Sequence, residues 1–489
     1  MKPLYLSLFF LLSFSPVFGQ SDDQPSFSVQ ALQEDFMVFR GSLEDFHPGL
    51  YWYRTKPQID SIFHQIQNSL TNPLSEREYF RILASVLSKI GCGHTGISLS
   101  EQTAKAISQF LPLKLAFIKG KAYFIEAYGN QPVDMQPGNQ LLSINGEGMD
   151  VIYDRAMDML SEDDGFAQSG KHRALNDYFW YIHAELFEPS EAYAIEFTNH
   201  RGEKESTIIP ALARKPMYDA YFSSLATDQN PRNVILTTSE NVATLVIKSF
   251  FGWKEGKKQV KFERKLQEVF ETLQQDQITD LIIDLRDNGG GKVPWVFYSY
   301  FVDEPFLFAN EADFIYSRIS AYNSFQKLHP DMRFLKRKWL NTWLPGSNKM
   351  SQIDSSRYRL TGLFMTKPFQ PSLPKFQGNV YLLIDGGTFS AASDFAAMMK
   401  SSGLATIIGE ESGGGYYGNT SMEKSYVTLP NSKIRLEIPL VRHQLNVNAS
   451  KNAFGRGVLP DHEVNDCLED ILEGNDPQME RAWSLIGKR

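Results

Sequence analysis

Apolar positions change their spacing along the chain, and each change marks a different kind of unit. Phe36, Phe39 and Leu43 step along one helical face, Ile59, Ile62, Phe63 and Ile66 make a second, and Tyr79, Ile82, Leu83, Val86, Leu87 and Ile90 a third. The spacing predicts an N-terminal helical region over residues 20–108, interrupted at His47-Pro48-Gly49. Its third helix stops at Gly91-Cys92-Gly93-His94-Thr95-Gly96, where the glycines imply a turn or close-approach loop that carries His94. Over residues 109–212 the texture shortens to strands, Pro112 to Ile118, Ala122 to Tyr128 and Leu141 to Gly146, with a helix expected from about Val151 to Leu160.

Residues 213–489 alternate strand and helix, which argues for an α/β core with helices on a largely parallel sheet. Val242 to Phe251 is a predicted strand and Lys258 to Gln274 a helix. Leu281 to Leu285 is a buried strand ending in Arg286-Asp287-Asn288-Gly289-Gly290-Gly291, and a helix is expected from about Val293. Val380 to Ile384 is an unbroken apolar run broken by Asp385-Gly386-Gly387, and Ala392, Phe395, Ala396 and Met399 then recur at helical spacing from about Ser390. Ala405 to Gly409 is another strand. Val427 to Leu429 and Ile434 to Val441 form a hairpin, and a helix ends the chain. Residues 305–375, richer in aromatics and prolines, read as an insertion partly covering this core.

Composition narrows the partners. A length of 489 residues is too great for one core, and 42% hydrophobic with 22% charged residues is ordinary for a globular protein. The formal net charge of -8, with no basic cluster set against it, gives no sign of a nucleic-acid partner. Residues 1–19 pair Lys2 with an apolar run from Leu4 to Phe14 and a small Gly19, the pattern of a signal peptide; a periplasmic or extracellular protein is expected. Elsewhere no run approaches the ~18 apolar residues of a membrane span. The contexts of Cys92 and Cys467 do not say whether they pair. Neither paired histidines nor acidic groups stand at metal spacing, so no metal or cofactor is expected.

Two stretches carry chemistry. Ser390 falls where a strand turns into a helix, so its hydroxyl meets the positive helix end and the Ala391 amide could donate to a developing oxyanion. An N-cap serine is the alternative use of that position. The Gly289-Gly290-Gly291 loop lets a ligand approach backbone amides, but neither phosphate-loop spacing is present, and an oxyanion hole suits it better.

Taken in order, Asp-Leu-Arg-x-Asn-Gly-Gly-Gly at Asp284, Gly-Thr-x-Ser-Ala-Ala-Ser-Asp at Gly387 and the Gly-Val-x-Pro-Asp ending at Gly457 resemble the C-terminal processing (tail-specific) and tricorn-core serine peptidases. Met135-Gln136-Pro137-Gly138 with Leu141-Leu142-Ser143-Ile144-Asn145-Gly146 resembles a PDZ domain, which binds peptide termini by strand addition. The resemblance implies a crotonase-like β/α core behind the helical and PDZ-like regions. It also implies Ser390 as nucleophile, with Ala391 and either Gly289 or Gly290 as oxyanion donors. The lysine of the Ser-Lys members would fall at Gly415, and the next lysine is Lys424, so the chain is similar instead to the tricorn type, with His94 as general base. That type has a serine where Gly93 stands and a glutamate where Gly455 stands, so nothing in the sequence identifies what orients His94.

Tyr416 and Tyr417 could line the site, His443 is a second base candidate, and Ser393 is a fallback nucleophile. Asp284 and Arg286 are expected to order the glycine loop. The expectation is a secreted or periplasmic serine endopeptidase acting on peptides or proteins. The same core also resembles the modules of interphotoreceptor retinoid-binding protein, so the alternative is a degenerate member that binds a lipophilic ligand or a peptide terminus without hydrolysis.

Overall fold

The computed structural model describes residues 26–131, 133–225, 232–255, 258–315, 350–352, 357–360 and 364–487. The signal-peptide pattern and most of the 305–375 insertion lie outside them. Three helices open the described chain, Val29–Phe46, Lys56–Ser69 and Glu76–Ile90. Ser75 and Glu78 form a capping box at the start of the third, and Gly91 ends it at φ 73, a conformation that costs glycine nothing. Their apolar faces pack on a long hairpin, Gly418–Thr428 with Arg435–Leu445, through Val427, Leu429, Ile434, Leu436 and Ile438. Asp35, 0% exposed, fixes that contact by accepting hydrogen bonds from the amides of Asn431 and Ser432 and from Ser432 Oγ. Beyond Gly91 the expected helical texture gives way to a strand, Gly96–Ser98, paired with Arg435 to Glu437, and one short helix, Glu101–Ala106. The glycines after Ile90 end the helix, and the hairpin edge supplies a backbone partner instead.

An antiparallel sheet follows, Leu113–Ile118, Lys121–Ala127, Gln140–Ile144, Ala192–Thr198 and Lys204–Pro210 in that order, with Glu147–Gly148 beside the third strand. The helix expected near Val151 is Met149–Met159. A second helix, Ser169–Leu186, occupies residues that the sequence suggested were strand-like. Leu175, Phe179, Ile182 and Leu186 bury one face of it against the sheet, Phe179 lying 5.2 Å from Phe117. Trp180 and Ala184 bury a second face against the N-terminal helices, so in the sequence the two stripes merge into a run without one clear period.

The third unit is a sheet in the order Val234–Ser239, Val242–Ile247, Asp280–Asp284, Asn379–Ile384, Thr406–Gly409, His462–Glu463. The first pair is antiparallel and every later pair parallel. Alternate residues face opposite layers. Leu281, Ile283, Leu382 and Ile384 meet the helices Phe262–Gln275 and Ala391–Ser402, whereas Ile282, Tyr381 and Leu383 meet Ala482 of the terminal helix Pro477–Ile486. The helix expected from Lys258 begins at Phe262, where its apolar face begins; Lys258–Val260 instead pairs with Trp253–Glu255. Because Asp284 and Leu383 are register partners in parallel strands, the glycine loop and the Ser390 turn leave the sheet side by side.

Candidate active site

The Ser390 turn is built from a buried strand that cannot continue. Asp385 N donates to Thr388 Oγ1 at 3.1 Å and Thr388 Oγ1 donates to Leu285 O at 2.9 Å, tying the turn to the neighbouring strand end. Ser390 itself sits at φ 53, ψ −123, a backbone region that side chains rarely adopt. Its side chain makes no capping hydrogen bond to the helix, so the N-cap use of this serine is not realised. Ala391 follows as the first helical residue, and its amide is one of those a helix leaves without an internal partner.

His94 meets this serine from the N-terminal region. Its Nε2 lies 3.1 Å from Ser390 Oγ, and its ring packs on Phe389 with centroids 4.5 Å apart. Among the described residues, Nδ1 is buried without a hydrogen-bond partner. Burial, with Lys424 and His443 adding positive charge nearby, pushes the imidazole down to about 3. It is therefore neutral at physiological pH. For Nε2 to accept the serine proton, the ring proton must be on Nδ1.

The glycine loop closes the third side. Asn288 is fully buried, donates through Nδ2 to Ile247 O at 2.6 Å and accepts from Gly290 N at 2.9 Å. Gly290, at φ 102, lies so close to the serine that an added Cβ would stand 2.7 Å from Ser390 Cβ and 2.8 Å from Ala391 N. Of the two glycines singled out from sequence, Gly290 has its amide engaged by Asn288, while Gly289 is exposed and has open space around it. Asp385 accepts the Asp287 amide at 3.0 Å, and Arg173 reaches Asp287 at 2.5 Å from the Ser169–Leu186 helix. Arg286 pairs with Asp284 and also with Asp476 at the start of the terminal helix, so it ties the foot of the loop to that helix.

The remaining candidates face elsewhere. His443 is buried on the hairpin with Nε2 3.0 Å from Asp394 Oδ2, and Asn419 Nδ2 donates to the other carboxylate oxygen at 3.1 Å. Asp394 lies one turn into the serine helix, its amide bonded to Ser390 O, so this network braces the helix from behind. The Tyr416 hydroxyl donates to Asn448 O at 3.0 Å and Tyr417 to Asn452 O at 2.9 Å, which anchors both to the turn around 448–452. Ser393 Oγ donates back to Ser390 O at 2.8 Å. Lys424 pairs with Glu437. Cys92 is buried and Cys467 exposed, and both are free thiols. An open cavity of about 960 Å³, lined by Phe270, Leu273, Leu373 and Phe376, lies at the opposite, amino end of the strands, away from Ser390.

Sequence reasoning passed over Asp164, which is 1% exposed and accepts amides from the His94 loop and from Gly415. Three consecutive acids followed by glycine, Glu162-Asp163-Asp164-Gly165, just after the helix expected to end near Leu160, were the available signal.

A serine on a strained strand-to-helix turn, a histidine in contact with it and a glycine loop beside both define a hydrolase of the serine type. Residues 241–464 match the model of Peptidase family S41, which makes this part of the chain a peptidase core of that type. No curated protein sequence matches it. The fold is that of mature CPAF, at 14% identity over 93% of this chain and 96% of that one, with a TM-score of 0.63. Mature CPAF complexed with lactacystin gives 14% identity, coverage of 94% and 97%, and a TM-score of 0.64.

Proposed function

We propose that the chain is an exported endopeptidase in which Ser390 attacks the scissile carbonyl while His94 removes its proton. The observation that carries this is the 3.1 Å approach of His94 Nε2 to Ser390 Oγ, made across nearly three hundred residues of sequence. As the Oγ–C bond forms, the carbonyl oxygen gains a charge, and the amides of Ala391 and Gly289 are the donors assigned to it in this reading. Collapse of that intermediate expels the amine, which takes the proton back from His94, and water then releases the acyl group by the same route. The match of residues 241–464 to the peptidase family supports peptides or proteins as substrates, and the pattern of residues 1–19 supports export to the periplasm or beyond.

A binding-only reading draws support from the unpartnered Nδ1 and from the environment that disfavours an imidazolium. Hydrolysis of an unfolded protein substrate by the mature chain, with Ser390→Ala and His94→Ala beside it, separates the two. Turnover is expected to vanish in the first and to fall by roughly 10²- to 10⁴-fold in the second. Equal turnover in all three would sink the assignment. No turnover in any of them, together with a co-purifying apolar ligand, would favour binding alone.

A further inference from the structure

The loop that carries His94 is held by a segment from the middle of the chain. Between the helices Met149–Met159 and Ser169–Leu186 runs Ser161-Glu162-Asp163-Asp164-Gly165-Phe166. Ser161 Oγ donates to Thr95 O at 2.9 Å, Gly165 N donates to Gly91 O at 2.9 Å, and Asp164 Oδ1 accepts Gly93 N at 3.1 Å. The base loop is thus gripped on both sides of His94. The same segment reaches the opposite wall, where Asp164 N donates to Gly413 O at 2.9 Å and Asp164 Oδ2 accepts Gly415 N at 3.2 Å. Gly414, between those two contacts, lies against the nucleophile: an added Cβ would stand 3.0 Å from Ser390 N. One buried carboxylate therefore spans the loop of the base and the loop that touches the serine.

We propose that Asp164, in its ionised form, is the positioning residue of the site, setting His94 against Ser390 through the backbone where, among the described residues, no side chain holds Nδ1. This rests on the reading of Ser390 and His94 as the reacting pair. Both oxygens of a carboxylate accept, so it can serve both amides; a protonated acid or an asparagine turns one of its two positions into a donor facing an N–H, and one loop is released. Burial favours that release. It pushes the Asp164 carboxyl up to about 7 despite the amides of Gly415 and Gly93, with Asp394 and Asp163 adding to the rise. The other titratable groups facing Asp164 are Tyr53 and Cys92, and Arg442 acts on Tyr53. His94 is held far lower, at about 3, so a loss of activity on acidifying through neutrality belongs to a carboxylate and not to the imidazole; burial also pushes Asp163 and Asp385 up to about 7, and the loss of the midpoint in Asp164→Asn is what singles out Asp164.

The test is the rate at which a fluorophosphonate labels Ser390 in the full chain between pH 5 and 9, for wild type, Asp164→Asn, His94→Ala and Ser390→Ala. Wild type is expected to lose labelling below a midpoint near pH 7. Asp164→Asn should label at least about tenfold more slowly at pH 8 and show no midpoint near 7. An Asp164→Asn profile that keeps the wild-type midpoint overturns the proposal and leaves the Ser390–His94 pair standing. Labelling that survives unchanged in His94→Ala, or that falls elsewhere than on Ser390, overturns the pair itself. Should Asp164→Asn not fold, amide exchange in wild type decides. Protection at Gly93 or at Gly415, corrected for intrinsic rate, should fall below pH 7, and protection constant at both from pH 6 to 8 overturns the proposal.

Discussion

The backbone of Ser390 makes a stability prediction that is independent of catalysis. At φ 53 and ψ −123 any side chain with a Cβ is strained, at a cost of about 1–3 kcal/mol, and glycine is not. Ser390→Ala keeps the Cβ and therefore the strain, whereas Ser390→Gly removes both. The hydrogen bond to His94 is lost in either variant and cancels from the comparison. Against the gain stands the greater freedom of glycine in the unfolded chain, roughly 0.5–1 kcal/mol. The glycine variant should thus be the more stable by about 1 kcal/mol. If the family core unfolds as one unit of about 220 residues, at ~2.1 cal/mol/K per residue its entropy of unfolding is about 0.5 kcal/mol/K, so the difference in Tm is about 2 °C. Calorimetry on the two inactive variants side by side measures it. An alanine variant as stable as the glycine variant, or more so, refutes the claim that strain is stored at the nucleophile.

Other consequences follow from single contacts. Asp35→Ala strips the hairpin turn of the acceptors for Asn431 and Ser432 and leaves buried donors, so a loss of about 2–4 kcal/mol is expected in urea unfolding; a loss below about 1 kcal/mol would place that contact among the dispensable ones. Gly290→Ala puts a methyl group against Ser390 Cβ and the Ala391 amide, and peptidase activity should drop at least about 100-fold with KM little changed; wild-type kcat would contradict the close approach. His183 is buried, its Nδ1 has no hydrogen-bond partner among the described residues, and burial pushes it down to about 4. The folded state then binds fewer protons than the unfolded one between pH 4 and 6.5, so this contribution is complete above about 6.5 and is lost as pH falls toward 4. His183→Phe, set among Phe179, Phe187 and Tyr193, should lose less stability than wild type over that window, and parallel curves would refute the assignment.

The elements at Asn379–Ile384, Asp280–Asp284 and Ala391–Ser402 were legible because each is decided locally. An apolar run that needs cover on both faces, a glycine break and a helical stripe all sit within a few residues of one another. Ser390 and the glycine loop could therefore be placed at strand ends from the sequence. The helix Ser169–Leu186 was passed over although Leu175, Phe179, Ile182 and Leu186 recur at helical spacing, because Trp180 and Ala184 are buried on a second face against the N-terminal helices and the two stripes run together into one apolar stretch. His94 was marked by its glycine-rich loop, but its 3.1 Å contact spans units far apart in sequence, and no local pattern encodes that distance. Nor could sequence tell that Gly290 spends its amide on Asn288, or that Tyr416 and Tyr417 turn toward 448–452, because hydrogen-bond partners are settled by which loops arrive beside them. What the chain determines by itself is where strands stop and which residues can react. What only the tertiary structure decides is which of them meet, and there a buried carboxylate at Asp164, ordinary in sequence, bridges the two loops on either side of the serine.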